Sequence, residues 1–264
     1  MIDIEHIYKQ ASALFDSDQE QAIALLSPLL EAQKSNQEAL FALTRFIRKH
    51  EFPHEIALEY LTAIYESYAG DDLVLIEIGT TLEAAKDMGD LNAPPPTHSL
   101  FGIVVQQLAA LAEKSKGQKR EADVVESLSS AARLAGRQYD ALAEEHYLRL
   151  AELLPDTHWA HYNLGLFYKT RGRFEEGLLA NQKAQALVDE ENEAVIWNLG
   201  ICATGAGKGE IALDMWKSIG NKIEMGRFGL PDGSYYSCKV KLAQFPLAER
   251  TAENDYPGLE ETIW

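Results

Sequence analysis

The tripeptide Asn163-Leu164-Gly165 returns 35 residues later as Asn198-Leu199-Gly200. One step upstream in the same register stands another small residue, Ala131. A period of this size marks a helix-pair repeat, in which each pair buries its apolar face only by stacking on its neighbours. That constrains function as well as fold. Arrays of this kind present long surfaces and serve as binding platforms.

The rest of the chain fits the period. Up to about Gly220, apolar residues recur at three- and four-residue spacing, with Gly, Pro, Asp or Asn at the breaks. The pattern predicts helices near 2–15, 20–33, 36–49, 54–69, 72–88, 99–115, 120–135, 139–153, 158–171, 174–188, 193–204 and 209–219, which pair into six antiparallel hairpins. Small residues hold one register: Ala22 and Ala57 are 35 apart, and Gly79 follows Ala57 by 22 residues, as Gly165 follows Ala143. A Gly or Ala at a crossing lets the second helix approach, and Leu and aromatic residues such as Tyr147, Tyr168, Phe174 and Trp216 fill the space around it. Pro155 falls just past a second helix, where it stops it.

These residues resemble the tetratricopeptide repeat (TPR) family, most clearly over 124–220 and in degenerate form upstream. Gly177 stands where that pattern usually has Ala, and Asn181 where it usually has an aromatic residue. The resemblance implies an all-α fold, a right-handed superhelix (α-solenoid) of about six helix pairs. The repeat domain then spans 1–222, interrupted by a Pro-rich insertion at 92–98 that contains Pro94-Pro95-Pro96. Beyond Gly220 the period changes. Leu230-Pro231-Asp232-Gly233-Ser234 reads as a turn, and Tyr236, Cys238, Val240 and Leu242 alternate with polar residues as in a strand. A small β-rich segment is expected over 226–264. Its last residues, Ile263-Trp264, are apolar, as expected of a chain cut within an element.

Charge narrows the partners. Forty-one acids face 24 bases, for a net charge of −17. Neither the phosphate backbone of nucleic acid nor an anionic membrane surface suits such a chain. Its N-terminus lacks the basic and apolar regions of a secretory signal, and no apolar run has the length of a membrane span. Two distant cysteines, Cys202 and Cys238, form no disulfide framework. The expected setting is cytoplasmic.

No residue pattern points to catalysis, a metal or a cofactor. Gly205-Ala206-Gly207-Lys208-Gly209 lacks the first Gly and the final Ser/Thr of a phosphate loop and follows a helix, so it reads as an inter-helix turn. His158 and His161 lack the further ligands that zinc requires.

Binding residues are therefore sought on the repeats. The resemblance implies that Asn163 and Asn198 face the concave side of first helices, where a carboxamide both donates to and accepts from a peptide backbone. Helical spacing puts Tyr162, Leu166 and Lys169 on the face of Asn163, with Trp159 at its edge. Trp197 and Ile201 flank Asn198 in the same way. Core packing accounts equally well for the two tryptophans, and a solvated surface for the asparagines. The Lys and Arg positions by which some family members clamp a C-terminal carboxylate are apolar or neutral here.

The expected function is a non-enzymatic protein–protein interaction scaffold that holds a peptide or protein segment. Two alternatives stay open. One is a substrate-recruiting repeat domain of a larger enzyme whose β domain is incomplete here. The other is a self-associating or tail-autoinhibited repeat protein, including a homodimer formed through the C-terminal β segment.

Overall fold

The computed structural model describes residues 2–50, 52–68, 70–85, 99–188 and 192–218, apart from 213, 216 and 217. All regular structure among the described residues is helical. The helices in order are α1 (Ile4–Leu14), α2 (Gln19–Leu25), α3 (Ser27–Ala32), α4 (Gln37–Lys49), α5 (His54–Ser67), α6 (Asp72–Thr81), α7 (Ser99–Ser115), α8 (Glu121–Ala135), α9 (Asp140–Leu153), α10 (His158–Thr170), α11 (Phe174–Ala186) and α12 (Glu193–Gly205). Single 3-10 turns, Leu82–Ala85 and Arg137–Tyr139, follow α6 and precede α9. Residues 209–212, 214, 215 and 218 are also helical, within the last expected helix. The proline insertion at 92–98, Trp216 and the β segment at 226–264 lie outside the described residues.

Local chemistry sets the helix starts. Asp3, Asp18, Asn36, Asp71 and Asn192 each accept a hydrogen bond from a backbone N–H in the first turn that follows. Asn36 and Asp71 are 35 residues apart. Two helix ends repeat at the same interval. Gly172 and Gly207 sit at φ 72° and 68°, the left-handed region that glycine enters without a Cβ clash. Beside them the Arg173 N–H donates to the Tyr168 carbonyl at 2.9 Å, and the Lys208 N–H to the Ala203 carbonyl at 2.8 Å. The Gly205–Gly209 stretch is thus a helix end and turn.

One expected helix is two. The 20–33 segment breaks at Leu26 into α2 and α3, with Pro28 in the first turn of α3. Pro28 has no N–H for the Ala24 carbonyl, and its ring crowds that carbonyl, so a continuous helix cannot pass this point.

The chain divides into two compact units, 1–146 and 147–264, with the division inside α9. In the N-terminal unit the first helices of the expected pairs pack on one another: α1 on α4, α4 on α6, and α6 on α8. Hydrogen bonds join residues 33–35 apart in sequence. Gln33 Nε2 donates to Ser67 Oγ at 3.3 Å, and the Tyr68 hydroxyl donates to the Gln33 carbonyl. Gln37 Nε2 donates to Asp71 Oδ2 at 3.1 Å, Thr44 Oγ1 to Glu77 Oε1 at 2.6 Å, and Arg48 Nη1 to Thr81 Oγ1 at 2.8 Å. In the C-terminal unit α10 and α11 form a hairpin around Gly172, and α12 packs on both. The small residues Ala22, Ala57, Ala131 and Ala143 are fully buried.

An aromatic cluster anchors α1 to α4. Phe46 is fully buried and meets Tyr8 edge-on at 5.6 Å and Phe15 at 5.6 Å. His50 lies tilted against the Phe46 and Phe15 rings at 4.4 and 4.7 Å and shares a 3.1 Å hydrogen bond with Ser12 Oγ. Burial lowers the His50 pKa, the Lys49 charge adds to that, and Asp16 opposes it. The folded protein therefore binds fewer protons at His50 than the unfolded chain. Its contribution is complete above the ordinary histidine pKa of about 6.5 and is lost as the pH falls below that value. Urea midpoints measured at neutral and mildly acidic pH are expected to separate more for the wild type than for His50→Gln. Equal separations would remove the assignment.

Candidate functional site

The α10–α12 region carries the residues expected to bind a partner. Its floor is a buried apolar cluster that includes Leu178, Val195, Ile196, Leu199, Ile201 and Cys202. Tyr162 and Trp197 are partly buried and pack against this cluster. Ile201, expected on the binding face, is itself a core residue. For Tyr162, Trp197 and Ile201 the packing role is the one the geometry displays.

The two asparagines occupy different environments. Asn163 is partly exposed on α10, and its carboxamide makes no hydrogen bond among the described residues. Trp159 and Leu166, one turn to either side, are also partly exposed. Asn198 is only 2 % exposed. Its Oδ1 accepts a 2.6 Å hydrogen bond from Lys169 Nζ, reaching across from α10. An ammonium needs an acceptor, so this bond fixes the orientation of the amide and leaves Nδ2 buried without a partner among the described residues. A buried donor left unsatisfied costs about 1–3 kcal/mol. Asn198 is buried because α12 is apolar nearly all round, with residues 195, 196 and 198–204 out of solvent. Of the two asparagines expected on the concave side, one is thus an open carboxamide and the other is tied into the α10–α12 seam.

That seam has a counterpart in the N-terminal unit. Arg48 Nη1 donates to Glu77 Oε1 at 2.5 Å. Arg48 precedes Glu77 by 29 residues, the interval from Lys169 to Asn198. In both places a cation near the end of one first helix binds a polar side chain midway along the next.

Behind α10 lies a polar cluster that the expected site omits. A Cβ on Gly177 would stand 3.4 Å from the Gly165 carbonyl oxygen and 2.8 Å from Cys202 Sγ, so glycine lets the α10 and α11 backbones nearly touch. Asn181, fully buried, lies over Gly165 and donates from Nδ2 to the Gly177 carbonyl at 2.8 Å. The Asn181 Oδ1 has no partner among the described residues. A Cβ on Gly165 would meet the Asn181 carboxamide at 2.2–2.9 Å, so glycine at 165 leaves the space that this amide fills. Burial pushes the Cys202 thiol up to about 12, against the pull of Lys169 and a hydrogen bond from Asn181. Such a thiol stays neutral and is a poor nucleophile.

His161 is buried, and its Nε2 donates to the Pro155 carbonyl at 2.9 Å. No described helix is long and apolar enough to cross a membrane. Compared with protein-family models the chain matches none, and no curated protein matches it.

Proposed function

We propose that the protein is a non-enzymatic interaction module. In this reading TPR-like helix pairs stack in a superhelical array and hold an extended polypeptide segment against first-helix faces, with α10 as the main contact. The carrying observation is the Asn163 carboxamide, partly exposed and without a hydrogen bond, between Trp159 and Leu166 on one helical stripe. An amide in that setting recognises a peptide unit by donating and accepting at once, while flanking apolar groups supply contact area. The 35-residue recurrence of helix ends and the bonds between residues 33–35 apart support the repeat reading.

Lys169 and Asn198 then hold α12 against α10 and set the edge of the surface. Tyr162, Trp197 and Ile201 form its base. The partner is a protein or peptide, and the expected setting is cytoplasmic.

The test compares proteins captured from native lysate by the intact chain with those captured by Asn163→Ala. Loss of a two-way amide contact should weaken a groove ligand about tenfold, with the melting temperature unchanged. Asn198→Ala should lower the melting temperature as well, because it releases Lys169. Undiminished capture by Asn163→Ala would exclude the α10 face.

A further inference from the structure

The N-terminal unit presents a second face, on the α1–α4–α6 layer. Only four large apolar side chains stand exposed among the described residues, and two of them, Phe41 at 38 % and Leu73 at 56 %, lie on adjacent helices α4 and α6. Cross-helix hydrogen bonds bracket them. Gln37 binds Asp71 on one side of the pair, and Thr44 binds Glu77 on the other. Phe41 and Leu73 therefore occupy the same stretch of one seam.

The C-terminal half of α4 is basic on this layer, although the whole chain carries −17. Arg45, one turn after Phe41, and Lys49 lie toward α1, where they share the Tyr8 ring at 4.2 and 5.8 Å from its centroid, and Arg48 stands on the α4–α6 seam one turn after Thr44. Among the described residues two carboxylates pair with these cations. Glu77 is engaged by Thr44 and Arg48, and Glu5 meets Arg45 at a loose 3.7 Å while also pairing with Lys9. Lys49 has no ion pair among the described residues. The N-terminal ends of α4 and α6 carry Glu38, Asp71 and Asp72, of which Asp72 is paired with Arg120 at 2.8 Å.

We propose that this face docks a polypeptide segment that sets an apolar side chain between Phe41 and Leu73 and a neighbouring Asp or Glu over Arg45 and Lys49. The apolar pair sets the anchor point. Positive charge on the C-terminal half of α4, in an otherwise acidic molecule, sets the sign of the ligand and its direction along α4. The inference uses none of the α10 residues and stands apart from the reading given to them.

The probe is a displayed library of random-sequence peptides selected on the full chain. Enriched peptides should pair an apolar residue with Asp or Glu. Their binding should fall about tenfold with Phe41→Ser plus Leu73→Ser, and it should weaken with Lys49→Glu and with added salt. All three side chains are exposed, so unchanged far-ultraviolet circular dichroism should accompany the loss. Asn163→Ala should leave this binding intact, which separates it from the α10 surface. The proposal is overturned if no peptide is enriched, if the enriched peptides lack acidic residues, or if Phe41→Ser plus Leu73→Ser leaves their binding unchanged. Self-association lost in the same double variant would assign the face to a second copy of the chain and would equally overturn it.

Discussion

Phe46→Ala is expected to destabilise the N-terminal unit by about 3–5 kcal/mol, the range for removing a fully buried aromatic ring. Phe46 has no solvent exposure and holds three elements at once. Its ring packs on Tyr8 and Phe15 of the α1 region, on His50 at the end of α4, and edge-on against Phe52 at 6.2 Å in the turn that follows. Neighbours contributed by different segments cannot close the gap together, so most of the cavity should persist. The readout should be loss of helicity in urea followed by circular dichroism. Tryptophan fluorescence cannot report on this unit, because all four tryptophans lie at or after Trp159. A loss below about 1 kcal/mol would mean that the cluster collapses freely, against the packing argument.

Gly165→Ala should cost about 1–3 kcal/mol through overpacking. The added Cβ would stand 2.2 Å from Asn181 Nδ2 and 2.6 Å from its Cγ, and Asn181 is fully buried with nowhere to turn. The second substitution makes the argument sharper. In Gly165→Ala plus Asn181→Ala the new methyl takes the space that the amide leaves, and the orphaned Asn181 Oδ1 disappears with it. The double variant should therefore be more stable than Gly165→Ala alone, with a coupling of about 1 kcal/mol or more. Trp159 and Trp197, on the helices flanking this contact, give the fluorescence signal. Strict additivity of the two changes would show that Gly165 and Asn181 do not compete for space.

Much of the helical layout was legible because it is written in short-range chemistry. Asp3, Asp18, Asn36, Asp71 and Asn192 mark their own helices, and Gly172 and Gly207 mark ends by the backbone angle they permit. The break at Leu26 has its own local mark in Pro28, which the apolar periodicity running through it conceals. The site was harder to read. Spacing places Asn163 and Asn198 at one register position, but exposure depends on what packs around each helix. The near-uniform apolarity of α12 was the available sign that Asn198 would be buried. The Lys169–Asn198 bond joins residues 29 apart on two helices, and no local pattern announces it. Asn181 stood out as a departure from the usual aromatic residue, and its meaning appeared only with Gly165 beneath it.

The pairings at a 29-residue interval bear on how such a chain can change length. In the two places where the interval holds, a deletion or insertion between cation and acceptor would carry Arg48 away from Glu77 or Lys169 away from Asn198 unless the helices kept their register. The α6–α8 seam tolerates a longer connection: Ser127 donates to the Ile76 carbonyl and Arg133 pairs with Glu83 across separations of 51 and 50 residues. Length can therefore change between α6 and α8 without disturbing either cation.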